Sequence, residues 1–196
     1  MQQFIQTVKT RLAEKNDAVI GGIIVVVVLA VIATIFAVVQ GNIPKVVYYP
    51  VQACDMLTLA DAKEFLGEKA INASKTNPMQ SGNTATSRCG YTDGQANAET
   101  MVVAAIMVRS GINDEGVEQN KLAFASNKSS EVEVLKNIGD DAFYNAKLGQ
   151  LNILDDRNWI ILSYGLGSSP ELNTLDKATE IAQKVLSTQR VTDTQF

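Results

Sequence analysis

The chain reads as α+β: a single N-terminal transmembrane helix followed by an antiparallel sheet flanked by helices. Three observations lead there. Residues Ala18 to Val39 form an apolar run of 22 residues with no charge and one hydroxyl. Two strand-like runs, Gln150–Leu154 and Trp159–Tyr164, are separated only by Asp155-Asp156-Arg157-Asn158, the pattern of a hairpin. Finally, Leu172 to Gln189 carries Leu175, Ala178, Ile181, Ala182, Val185 and Leu186 at helical spacing, the stripe of an amphipathic helix. Strands linked by hairpins and bracketed by helices give an antiparallel α+β domain rather than a parallel sheet.

The apolar run comes first. At about 1.5 Å per residue it makes a helix of roughly 33 Å, enough for a hydrocarbon core of about 30 Å. Lys9, Arg11 and Lys15 precede it, whereas Lys45 stands alone between its end and Cys54. Basic residues stay on the cytoplasmic side, so the N-terminus is expected inside and the remainder outside. A cleaved signal peptide is the rival, but its apolar region is shorter and ends in a small-x-small site that Ile35-Phe36-Ala37 matches poorly. The expected organisation is a cytoplasmic segment 1–17, a span 18–39, a tether 40–53, an extracytoplasmic domain 54–190 and a tail 191–196. Phe4, Val8 and Leu12 fit a short helix leading into the span. Ala18, Gly22, Ala30 and Thr34 form a small-residue stripe through which anchors could pair into a homo-oligomer.

Residues 40–196 number 157, enough chain for one domain with its own core. They hold 14 basic and 19 acidic residues, which argues against nucleic acid because that partner needs a basic face. The chain has no histidine, which removes Ser-His-Asp and Cys-His nucleophiles, His-ligated zinc and His proton shuttles. Its two cysteines, Cys54 and Cys89, cannot complete a thiolate metal site, and outside the cell they read as one disulfide. The alternative is a lipid on Cys54, but Val51-Gln52-Ala53-Cys54 lacks the usual leucine of that signal and lies 15 residues past the span.

Beyond the span, Gln40 to Ala53 has two prolines and an extended Val46–Tyr49 piece, suited to a first strand or to packing on the domain. Thr58-Leu59-Ala60-Asp61 is a capping box opening a helix with Ala62, Phe65 and Leu66 inward and Gly67 as its stop. Lys69 to Ser87, rich in Asn, Ser, Thr and Gly, reads as a long surface loop. Arg88–Thr92 and Met101–Arg109 read as strands, the second apolar on both faces and therefore covered on both. A helix is expected over Gly116–Ser126, burying Val117, Leu122, Ala123 and Phe124, then short strands at Glu131–Leu135 and Ala142–Asn145 before the hairpin.

The segments ACDMLTLADAKEFLG, SRCGYTDG and LKNIGDDAFYN, with the hairpin and last helix, resemble a family of envelope lipoproteins and anchored domains of unknown function from high-GC Gram-positive bacteria. The resemblance covers about residues 51–186 and implies a PsbP-like fold with the two cysteines joined. It supplies no catalytic residues. An uncleaved span stands here in place of the family's usual lipid-attachment signal, so lipidation does not carry over.

No site residue emerges for catalysis, cofactor or metal. Asp140-Asp141 and Asp155-Asp156 are acidic pairs, but neighbours on a strand point to opposite faces and acidic turns are solvated. Asp155, Asp156 and Asn158 lack the spacing and glycine of a calcium loop. Gly165-Leu166-Gly167-Ser168-Ser169 has neither a dinucleotide nor a phosphate-loop pattern. Phe143, Tyr144, Trp159 and Tyr164 read as core rather than as pocket lining. The expectation is a non-enzymatic binding or scaffold domain of the cell envelope, with a protein or lipid partner. A carrier of a small apolar or lipid ligand is the alternative, and an envelope hydrolase a third reading.

Overall fold

The structure, a computed structural model, describes residues 46–129 and 131–193. Among them no helix is long and apolar enough to cross a membrane; the expected span 18–39 and segment 1–17 lie outside the described residues.

Two short helices lead in, α1 over Ala53–Met56 and α2 over Leu59–Leu66. The capping box is formed: Thr58 Oγ1 accepts from the Asp61 N–H at 3.2 Å while the Thr58 N–H donates to Asp61 Oδ2 at 2.9 Å. Gly67, at φ 89, ends α2 in a conformation a side chain would strain.

The sheet is a single antiparallel, seven-stranded layer in the order β1-β2-β3-β7-β6-β5-β4. β1 is Ile71–Ser81, β2 Thr84–Thr92, β3 Val102–Gly111, β4 Glu133–Leu135, β5 Asp141–Asn145, β6 Gln150–Asp155 and β7 Asn158–Leu166. A meander β1-β2-β3 is followed by helix α3, Asp114–Asn127, which carries the chain to the far edge. The second meander, β4 to β7, then returns to pair β7 with β3 at the centre. A 3-10 turn at Pro170–Leu172 leads into α4, Leu175–Asp193.

One face of the sheet is the core. Cys89, Ile106, Leu162, Leu151 and Tyr144 stand in register across five strands, all buried, and Ile181, Ala182 and Val185 of α4 close over them. The expected α4 stripe therefore holds from Ala178 to Leu186. Disulfide Cys54–Cys89 fastens α1 to β2 with Cα atoms 5.1 Å apart. Tyr91 and Tyr164 hydroxyls donate to the Leu57 and Phe65 carbonyls at 2.8 and 3.1 Å, so one buried and one partly buried phenol tie the ends of both lead-in helices to the sheet.

Three expectations need correction. Lys69–Ser87 is not a surface loop: most of it is edge strand β1, whose residues are almost all exposed. A strand with no buried face has no apolar alternation to betray it; its order comes from ladder pairing with β2. Helix α3 buries Phe124, but Leu122 is 70% exposed and the buried set is Gly116, Asn120 and Phe124. Asn120 sets that phase by donating to the Arg109 and Arg157 carbonyls at 2.8 and 2.9 Å. Lastly, β3 is not covered on both faces along its length. Helix α3 reaches its Arg109 end, while Val103, Ala105 and Met107 on the second face remain half-buried.

Candidate functional site

That incompletely covered face is built by register. One row runs Ser74, Gly90, Ala105, Ser163 and Gln150 across β1, β2, β3, β7 and β6. The next row runs Thr76, Arg88, Met107, Ile161 and Asn152. The first row is small at its centre and the second is large, so the surface sinks along the first. The result is a groove of about 390 Å³ with a floor of Ala105, Met107 and Ile161 and polar walls of Ser74, Arg88, Gln150 and Ser163. Gly90 keeps the trough open, since a Cβ there would stand 2.6 Å from Ser74 Oγ. Beyond the groove the face is filled by aromatics: Phe124 of α3 packs on Phe143 at 4.9 Å and on Trp159 at 6.3 Å between ring centroids.

Arg88 is the one charged residue on this lining, and among the described residues it makes no hydrogen bond or ion pair. The side chains of Ser74, Gln150 and Ser163 are likewise uncommitted among the described residues. Apolar floor and convergent polar groups make this a concavity suited to a ligand.

A second cleft of about 300 Å³ lies between α3 and the entering chain, bordered by Tyr48, Asp114, Glu118, Lys121 and Arg157. Three of its groups engage one another. The Tyr48 hydroxyl donates to Asp114 Oδ1 at 2.8 Å, which pushes the phenol up from its ordinary value, and the Arg157 guanidinium sits 5.1 Å from the Tyr48 ring centroid. The same segment is strapped to the sheet. Tyr48 N–H donates to Ile112 O, Val51 N–H to Ser110 Oγ, Ser87 Oγ to Val51 O and Ala53 N–H to Ser87 Oγ, all between 2.8 and 3.0 Å. Residues 48–53, expected as the end of a tether, are thus bonded to the domain.

The carboxylates of the first acidic pair, Asp140 and Asp141, take separate structural roles. Asp141 takes both oxygens to Lys128 Nζ at 2.8 Å, and Asp140 Oδ2 accepts from the Asp156 N–H at 2.8 Å. No group of three or more Cys, Asp or Glu able to hold a metal occurs among the described residues. The four aromatics are split by the sheet: Tyr144 and Tyr164 face the α4 layer, Phe143 and Trp159 the α3 layer. Arg88, Ser74, Gln150 and Ser163 escape a sequence reading because only the register brings them together. The hairpin signal Ser81-Gly82-Asn83-Thr84, with Gly82 at φ 60, could have revealed β1 and with it the outer wall.

Comparison with protein-family models, with curated proteins and with solved structures finds no match, so the resemblance to envelope proteins and to a PsbP-like fold gains no support from relatives.

Proposed function

We propose that this chain is a single-pass membrane-anchored, extracytoplasmic domain of the cell envelope that acts by binding, without chemistry of its own. The observation that carries the binding reading is the half-covered sheet face. β3 is apolar on both sides, yet α3 leaves Val103, Ala105 and Met107 without a full covering layer. An apolar face left only partly covered in this way is a place for a ligand or partner to dock. The anchor rests on the run 18–39 and the orientation on Lys9, Arg11 and Lys15. The disulfide Cys54–Cys89 accords with an oxidising exterior. The non-catalytic reading is supported by the lack of histidine and by the structural engagement of Asp140 and Asp141.

A partner protein or envelope component is the first candidate for what is bound. The second reading, a carrier of a small apolar or lipid ligand, is favoured by the groove, whose 390 Å³ falls in the range of small-molecule sites. The test is to extract full-length protein from its own membrane and analyse the bound organic fraction by mass spectrometry. A compound held stoichiometrically by the wild type and lost from Ala105→Leu supports the carrier. A partner that stays bound to both proteins returns the reading to a scaffold.

A further inference from the structure

The groove's ligand class follows from which of its groups are already satisfied. The floor is sheet surface whose backbone N–H and C=O groups are spent in the β2–β3, β3–β7 and β6–β7 ladders, so an extended peptide finds no main-chain partners there. Ala105, Met107 and Ile161 offer apolar contact instead. At about 390 Å³ the space lies at the small end for ligand sites, suited to one short chain rather than two.

Charge narrows the class further. Residues 40–196 carry an excess of acid, 19 against 14, yet no carboxylate lines the groove and one guanidinium does. A neutral occupant would give the Arg88 guanidinium no counter-charge, whereas an anionic head would. Arginine presents a planar fork of donors that matches a carboxylate bidentately, and one cation balances a monoanion. No second lysine or arginine lines the groove to neutralise a phosphate dianion. Ser74, Gln150 and Ser163 add hydrogen-bonding groups along the walls.

We propose that the groove binds a single-chain amphiphile with a carboxylate head, the head paired with Arg88 and the chain lying on Ala105, Met107 and Ile161. This rests on the carrier reading and adds the head group and its partner.

Trp159 is the only tryptophan of the chain and lies on the same face as Ile161, next along β7, so it reports occupancy by quenching. Full-length protein in lipid nanodiscs is titrated with 8-bromooctanoate, 8-bromooctanol and 8-bromooctyltrimethylammonium. The expected result is saturable quenching by the carboxylate alone. Arg88→Gln, an exposed position where the fold tolerates change, should raise the half-saturation concentration about tenfold or more, as loss of a charge-assisted pair requires. Ala105→Leu, or Ser163→Val if the former fails to fold, should abolish saturation by filling the trough. Equal saturation by the alcohol, still sensitive to Ala105→Leu, overturns the carboxylate assignment and leaves the carrier reading standing. Linear quenching by all three probes, the same in wild type and both variants, overturns the proposal and the carrier reading together.

Discussion

Single residues show how local chemistry sets both stability and phase. Asp61 is half-buried, which acts to raise its carboxyl, but hydrogen bonds from the Thr58 side chain and backbone and the Lys184 ammonium outweigh this and hold it below its ordinary 3.8. The folded state therefore binds this proton less readily than the unfolded chain. Its contribution is complete above 3.8 and is lost as the pH falls through the lowered folded value. Thermal melts should show stability dropping on the acid side of that window, with Asp61→Asn removing part of the drop. Thr58→Ala should cost about 0.5–2 kcal/mol in denaturant melts at neutral pH, because the N-cap acceptor is lost. On α3 the contrast lies between Asn120 and Leu122. Asn120→Ala leaves the Arg109 carbonyl without its side-chain donor inside the protein and should destabilise by about 1–3 kcal/mol. Leu122→Lys, on a side chain 70% exposed, should fall within about 0.5 kcal/mol of wild type. Hydropathy ranks these two residues the opposite way, which is why Leu122 read as core: a buried amide donating to two carbonyls is invisible until the strands that own those carbonyls are placed.

Among the elements, strand β1 and the disulfide carry the informative tests. β1 is an edge with an open row of backbone groups, protected by Lys75, by Pro78 and by register shifts between Asn72 and Ser74 and between Thr76 and Met79. Hydrogen exchange should follow this layout: β1 amides exchange through local opening, while β3 and β7, paired on both sides, open only with the whole domain. The Cys54–Cys89 bond spans 35 residues that include α2 and β1. Replacing both cysteines by Ala should cost about 4 kcal/mol in the chain-entropy account, read as a shift of the denaturation midpoint against the oxidised wild type. Helix α4 was legible in the sequence because it has one buried face, so its period survives in the residues, and the β6–β7 hairpin because two apolar runs flank a polar four-residue turn. β1 was not, because neither of its faces enters the core.

At the scale of the whole molecule, two meanders meet at the β3–β7 seam, one layer closes the first face, and α3 leaves the second partly open. The proposed topology makes a plain prediction: protease added to intact protoplasts should digest the C-terminal domain and spare an N-terminal tag, and protection of the C-terminus would reverse the orientation drawn from Lys9, Arg11 and Lys15. The sequence by itself determined the α+β class, the hairpin, the last helix, the capping box and the pairing of Cys54 with Cys89, since each rests on periodicity, short-range chemistry or a count of two. Only the tertiary structure decided the strand order, the phase of α3 and the groove. Ser74, Arg88, Ala105, Gln150 and Ser163 come from five strands, and what places them around one groove is the cross-strand register, a relation between distant segments that no local pattern encodes.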